Sequence, residues 1–329
     1  MIIVAGGGII GLGCAWRLAQ RGFRVRVFDA RQVAREASWA AAGMLAPGGE
    51  ITRDSEMARM AIASLQLYDS FVEELSEASG IEIDYRRSGA LEVAFDEKEA
   101  AALERRAEAQ AALGIRSERV ARGRFYPDDA VVNPRDLNAA LKLACERLGV
   151  EFREHEPVLR ILADGKGVRT ERGEQEADGV VLCAGAWSRN LWPTLPRLTP
   201  KRGHLIGYQP VEGLQLDSLL RHGHTYVVPR RSGQIVVGAS TEDVGFDRTI
   251  DDSITADLHA RACRLLPELA KAQIGATWNG FRPHIEGETP LIGRIDETSV
   301  WAACGHYRNG ILLAPVTALM ISSDIQKAA

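Results

Sequence analysis

Met1-Ile2-Ile3-Val4-Ala5 opens the chain, Gly6-Gly7-Gly8-Ile9-Ile10-Gly11 follows at once, and Val25-Arg26-Val27-Phe28-Asp29 closes the first thirty residues. The apolar run reads as a buried parallel strand, and Gly6, Gly8 and Gly11 form G-x-G-x-x-G directly after it. Such glycines allow a tight turn, let backbone approach a pyrophosphate, and let the next helix pack close to the strand. Ala15, Leu18 and Ala19 recur at helical spacing, Gly22 ends that helix, and the second strand finishes at Asp29, placed to accept hydrogen bonds from a ribose. The helix N-terminus offers free N–H groups and partial positive charge to phosphates. Strand, glycines, helix, strand and carboxylate in this order define a dinucleotide site. The fingerprint serves FAD and NAD alike.

Composition bounds the rest. The 329 residues, 46% of them hydrophobic, support a full core and point to two domains. A net charge of −4 with both signs interspersed excludes an obvious nucleic-acid or membrane-surface partner. Cys14, Cys145, Cys183, Cys263 and Cys304 are scattered without ligand spacing and read as reduced thiols. The dinucleotide strand begins at Met1 and no apolar run approaches the ~18 residues of a spanning helix, so the expectation is a cytoplasmic protein without signal peptide.

Along the chain, residues 54–79, 97–113 and 134–148 read as helices, the last capped by Asn133 with Pro134 in its first turn. Small residues dominate 35–47, which reads either as a flexible loop or as backbone lying against a flat ligand where larger side chains would not fit. Residues 81–85, 90–95, 150–152 and 157–162 read as strands, and 168–171 with 175–177 as a hairpin around Gly173. A continuous apolar strand, 179–184, runs into a second glycine turn at Gly185. From Lys201 the pattern becomes antiparallel: His204–Tyr208, a Tyr226–Val228/Ile235–Val237 hairpin and Trp278–Arg282. Residues 252–270 are helical, and two short strands precede a last helix near Gly310.

These residues resemble the D-amino-acid oxidase superfamily of flavoproteins, most closely the glycine oxidases of bacterial thiamine synthesis. The resemblance covers essentially the whole chain. It rests on Gly6–Asp29, on S-W-A-A-A-G-M-L-A-P at 38–47, C-A-G-A-W-S at 183–188, Y-V-V-P-R at 226–230, G-F-R-P at 280–283 and G-H-Y-R-N-G-I-L-L at 305–313. It implies an α/β fold with a Rossmann-like FAD-binding domain (1–80, 131–197 and 288–329) and a mostly antiparallel substrate domain (81–130 and 198–287). It implies FAD rather than NAD, held non-covalently, since no cysteine lies near G-F-R-P, where the covalent sarcosine oxidases have one.

The resemblance assigns cofactor binding to Gly6, Gly8, Ile9, Ile10, Gly11, Asp29, Ala30 and Arg31. It continues through Ser38, Ala41, Ala42, Gly43, Met44 and Leu45, through Val158, Ala184, Gly185 and Trp187, and through His306, Arg308, Asn309, Gly310, Ile311 and Leu312. The segment 308–312 would aim a helix N-terminus at the flavin N1–C2=O edge, where charge builds on reduction. Tyr226 and Arg282 match the pair that holds a substrate carboxylate, a task suited to the guanidinium fork; Arg282 also borders the cofactor. His224 and Thr241 match pocket-edge positions, with Arg308 beside them. His204 and His306 read as structural, and no metal site is expected.

The implied activity is oxidative deamination of glycine or a small D-amino acid to the 2-oxo acid, ammonia and H2O2, by hydride transfer to flavin N5 and then to O2. A sarcosine- or proline-type amine oxidase or dehydrogenase shares these features. A nicotinamide dehydrogenase leaves G-H-Y-R-N-G-I without a role, and a tRNA-modifying or non-catalytic flavin module lacks the expected basic patch. The partners expected are a small amino-acid substrate and O2, with homo-oligomerisation left open.

Overall fold

In a computed structural model, which describes residues 1–329 except residue 288, the strand Ile2–Ala5 lies at the centre of a six-stranded sheet. Its alternation sorts two cores. Ile2 and Val4 face a helical layer, while Ile3 and Ala5 face a smaller cluster beneath three-stranded β-structure. The sheet order is Leu291–Arg294, Val300–Cys304, Gly179–Leu182, Ile2–Ala5, Val25–Phe28, Glu151–Arg153, all parallel except Leu291–Arg294. The three inner parallel strands, Val300–Cys304, Gly179–Leu182 and Ile2–Ala5, are apolar throughout because both faces are covered.

The helical layer is made of Ile9–Gln20, Glu56–Ser79, Pro134–Arg147 and Gly310–Ala328. Local signals set their ends. Ser55 Oγ accepts from Ala58 N, Asn133 accepts from Arg135 N with Pro134 at the first position, and Gly80 is left-handed at φ 71°. The last helix holds Pro315, which cannot donate to the Ile311 carbonyl four residues back. Tyr68 donates its hydroxyl to that carbonyl instead, and Ser64 Oγ, one helical turn earlier, donates to Leu312 O at 2.6 Å. Two polar groups buried on Glu56–Ser79 thus lock the start of the last helix in place. This helix is also long and apolar enough to cross a membrane by length and composition, contrary to the expectation that no apolar run comes near that limit, but 56% of it is buried among the other helices.

A second, eight-stranded sheet runs Ile274–Ile285, Leu198–Tyr208, Ile235–Gly238, Thr225–Pro229, Leu219–His222, Ala90–Val93, Gly123–Tyr126, Glu118–Val120. It is antiparallel except where Leu219–His222 meets Ala90–Val93. The helix Asp252–Leu265 packs on it through Leu258, Ala262 and Leu265. The fold class is therefore α/β, a Rossmann-like unit joined to a mostly antiparallel sheet.

Several local expectations need correction. Residues 81–85 and 157–162 form strands only at Tyr85–Arg86 and Arg160–Ile161. The stretch 35–47 is not a plain loop: Ala37–Ala40 is one helical turn, and Met44–Leu45 pairs with Ala130–Val132. Gly173 starts the second strand of its hairpin instead of forming the turn. The strands Glu118–Val120, Gly123–Tyr126, Ala130–Val132 and Leu219–His222 carry no signal that separates them from loop; Glu118–Val120, for example, is exposed at all three positions.

Candidate active site

Between the two sheets lies a cavity of about 560 Å³. One end is built by the turn after Ile2–Ala5: Gly6, Gly8, Ile9 and Ile10 line it, with Asp29, Ala30 and Arg31 from the end of the next strand. Asp29 is held by its neighbours. One carboxylate oxygen accepts from Gly7 N at 2.9 Å and the other from Arg31 N at 2.8 Å. Burial raises its pKa, and these two backbone donors oppose the rise. Ser38 Oγ accepts from Ile9 N at 2.9 Å, so the run 35–47 is pinned to the helix start.

Ala40, Ala41, Ala42, Gly43 and Met44 form one long wall. Gly43 has φ +80°, and a Cβ there would fall 1.9 Å from Val132 O, so no other residue fits. Arg230, quoted in Y-V-V-P-R without a role, is the support behind that wall. Its guanidinium is buried and donates to the Ala42 and Val132 carbonyls, and burial depresses its pKa to about 10. Val158, Ala184, Gly185 and Trp187 line the cavity from the six-stranded sheet, and His306, Arg308, Gly310 and Ile311 from the start of the last helix. That helix has no side-chain cap.

Tyr226, Gly203 and Arg282 close the far end from the second sheet. Gly203 pairs with Gly280 across adjacent strands, and a Cβ on Gly203 would lie 2.3 Å from the Arg282 guanidinium. The guanidinium therefore lies against bare backbone, with Nη1 donating to Ser240 O at 3.1 Å. The Tyr226 phenol is buried, which raises its pKa, and Arg282 and Arg308 pull it down again. Arg308 Nη2 stands 3.5 Å from Glu50 Oε1. Two guanidiniums against one carboxylate leave one net positive charge, which one substrate carboxylate would neutralise.

Some residues expected here lie elsewhere. His224 sits in the turn before Thr225–Pro229 and lines a separate pocket of about 210 Å³ with Phe95, His222, Arg261 and Arg264. Two of its lining groups meet carboxylates from outside the pocket, Arg261 with Asp257 and His222 with Glu99. Thr241 is exposed beyond the strand end and is absent from the wall. Gly11, Leu45, Asn309 and Leu312 also stand outside the wall: Gly11 packs on the Gly6 carbonyl, Leu45 belongs to the helical core, Asn309 occupies the N-cap position of the last helix without a side-chain hydrogen bond, and the Leu312 carbonyl serves Ser64. Glu36, Asn190, Gly203, Phe281 and Tyr307 line the cavity without having been picked out. Phe281 and Tyr307 sit inside G-F-R-P and G-H-Y-R-N-G; Gly203 and Asn190 carry no motif.

His306, read as structural within a cofactor segment, is buried. Nε2 lies 3.0 Å from Thr317 Oγ1, and burial lowers its pKa from 6.5 to about 3. It is neutral when folded and protonates readily when unfolded, so its contribution is complete above pH 6.5 and is lost progressively as pH falls toward 3. The thermal midpoint of wild type should fall with acidification through that window more steeply than that of His306→Gln; parallel curves would refute the assignment.

The chain belongs to a family of flavoenzymes: the model of the DAO family, FAD dependent oxidoreductase, matches residues 1–323. It is 36% identical to the bifunctional protein ThiO/ThiG of Nostoc sp. over 98% of this chain and 52% of that one, so it spans about half the length of those relatives. It is 31% identical to the glycine oxidase of Geobacillus kaustophilus, over 99% of this chain and 93% of the relative. The crystal structure of glycine oxidase from Geobacillus kaustophilus superposes with a TM-score of 0.94 at 30% identity, covering 99% of this chain and 94% of the other. The protein is accordingly an FAD-dependent oxidoreductase similar to glycine oxidase.

The cavity suits FAD on its own geometry. Two helix starts border it, Gly310–Ala328 without a side-chain cap and Ile9–Gln20 with Ser38 Oγ on its first N–H and no cap from Gly8. The wall from Ala40 to Met44 gives a flat group room that larger side chains would fill. Asp29→Ala removes the acceptor of two backbone N–H groups at the glycine-turn end of the cavity. FAD affinity and the thermal midpoint of the holoprotein should both fall, because bound ligand stabilises the folded state by mass action. Unchanged affinity in a titration of apoprotein with FAD would mean that Asp29 does not serve the cofactor.

Proposed function

We propose that this protein is an amino-acid oxidase that deaminates glycine or small D-amino acids to the 2-oxo acid and ammonia, with O2 as acceptor and H2O2 as product. The observation that carries this reading is the convergence of Arg282, Tyr226 and Arg308 at one end of the cavity, with a single carboxylate, Glu50, to offset them.

FAD, when bound, supplies a two-electron acceptor. The chain's own residues do the rest by position and charge. Arg282, backed by Ser240 O and lying on Gly203, takes the substrate carboxylate, and Tyr226 donates its hydroxyl to the same group. The phenol is held above its ordinary pKa by burial, so it remains a donor. Cys183 and Cys304 are likewise held as thiols by burial, the latter at about 12. His306 is committed to Thr317. None of these wall groups is placed as a base, and the amine is taken to bind already neutral. The uncapped helix start at Gly310 favours negative charge developing in front of it.

Asp29, Arg31 and the Gly6–Gly8 turn hold the adenosine half, and 41–44 with 308–311 the ring half, with no covalent link. Acid precipitation should carry all flavin absorbance into the supernatant; colour kept in the pellet would overturn this. The chain divides into a cofactor domain (1–80, 131–197 and 288–329) and a substrate domain (81–130 and 198–287); the boundary residue 288 lies outside the described residues. The five cysteines are free, which supports a reducing compartment such as the cytoplasm. An H2O2 assay over glycine, sarcosine, proline and both series of amino acids tests the whole reading: turnover of amines without a carboxylate at the rate of glycine would defeat it.

A further inference from the structure

Residues 241–250 leave the eight-stranded sheet after Ile235–Gly238 and return at the helix Asp252–Leu265. All are exposed except Glu242, and Val244, Phe246 and Ile250 are exposed apolar side chains. The segment is nevertheless tightly held. Arg202, its side chain only 5% exposed, donates Nε and Nη2 to Glu242 Oε2 at 2.9 and 2.5 Å, and Nη1 to Asp247 Oδ2, Asp247 O and Thr249 O at 2.8–3.1 Å. Asn279 Nδ2 donates to the Arg248 and Thr249 carbonyls. His204 Nδ1 meets Glu242 Oε1 at 2.8 Å, while its Nε2 accepts from Asp251 N. Burying a guanidinium is costly unless its donors are used, and here nearly all of them hold one surface segment in a single shape.

That shape sets two side chains on the cofactor cavity's outer wall. Phe246 stacks on Trp187 with ring centroids 4.5 Å apart and 17° between planes, and meets Phe281 edge-on at 5.4 Å. Arg248 Nη2 donates to both Glu36 oxygens at 2.9 and 2.8 Å, and its guanidinium lies 4.9 Å from the Phe281 ring centre. Trp187, Phe281 and Glu36 all line the cavity, while Phe246 and Arg248 stand behind them. Glu36 follows the strand Val25–Phe28 and Trp187 follows Gly179–Leu182, so both belong to the six-stranded sheet's loops. The segment thus ties two loops of one sheet to the other sheet, across the cavity that lies between them.

We propose that residues 241–250 are a strap that retains FAD, with Phe246 and Arg248 as positioning residues for Trp187, Phe281 and Glu36. The inference rests on the assignment of this cavity to FAD. Release of the two contacts frees the wall and lets the cofactor leave; the anchored foot at Arg202 returns the strap to the same place. Closure of this kind acts on the exchange rate of a bound group more than on the chemistry it encloses.

The test is the rate of FAD release from holoprotein, followed by the fluorescence of free flavin after dilution, in wild type, Phe246→Ala, Arg248→Ala and the double variant. An aromatic pair and a half-exposed ion pair are modest interactions, so Phe246→Ala should release FAD about fivefold faster and Arg248→Ala about threefold faster. The double variant should exceed tenfold, and Arg248→Lys should recover only part of the loss because it keeps the charge without the fork. The thermal midpoint of each apoprotein should match wild type. Equal release rates would overturn the strap, and so would faster release that tracks a loss of apoprotein stability. Failure of the wild-type chain to hold FAD would overturn the cofactor assignment and the strap together.

Discussion

Arg282→Ala should lower kcat/KM for glycine or D-alanine by about 30-fold to several thousand-fold, the equivalent of about 2–5 kcal/mol for a charge pair broken in a dry site. The size follows from the surroundings. The guanidinium rests on Gly203, where a side chain would collide with it, and one of its nitrogens is already fixed by Ser240 O. Its remaining donors are preorganised, so their loss is not recovered by rearrangement. If Tyr226 donates to the same carboxylate as proposed, Tyr226→Phe removes that one donor and should cost about 1.5–3 kcal/mol. The ranking, Arg282 well above Tyr226, is the distinctive expectation, with flavin occupancy normal in both variants. Near wild-type kcat/KM in Arg282→Ala would move the carboxylate clamp to Arg308, the other guanidinium acting on Tyr226.

Gly11→Ala should give a protein without flavin and with a much lower thermal midpoint. A Cβ at Gly11 falls 1.9 Å from the Gly6 carbonyl oxygen and 3.0 Å from Cys183 Sγ. The first contact is with backbone, so relief requires the helix Ile9–Gln20 to lift away from the turn that would cradle the pyrophosphate. Overpacking by one methyl typically costs about 1–3 kcal/mol, and a clash with rigid backbone lies at or above that limit. Gly13→Ala, two residues on, is the control. Its Cβ would meet Ala318 Cβ at 3.4 Å, ordinary contact, and the added helix propensity of up to about 1 kcal/mol favours it. Full flavin occupancy and an unshifted midpoint in Gly11→Ala would show that the third glycine does not set the helix–strand distance.

A shared backbone does not by itself fix an activity, which has to be argued from the side chains of the site. Here the far end of the cavity carries two arginines, a buried phenol and Glu50. On the proposed function, substrate choice is set there, by the charge balance and by how closely Arg282 approaches bare backbone.

The sequence by itself determined whatever depends on neighbours in the chain. The Gly6–Gly11 turn, the Ser55, Asn133 and Gly80 helix ends, and the parallel strands around Ile2–Ala5 follow from local backbone geometry and from burial that affects every side chain of a strand. The resemblance carried by the motifs added Tyr226, Arg282 and Arg308, which the structure brings to one end of one cavity. Tertiary structure alone decided which way a turn faces. His224 is two residues from Tyr226, yet it lies past the strand end and borders another pocket, while Tyr226 reaches the cavity. It alone revealed Gly203 as the floor beneath Arg282, because that contact joins residues 79 positions apart across paired strands. It alone revealed Arg230 behind the alanine wall and Tyr68 answering the carbonyl that Pro315 leaves free. Arg230 and Tyr68 are each a buried polar group satisfied by a partner distant in sequence. Such a partner is chosen by how the sheets and helices stack, and no spacing along the chain encodes it.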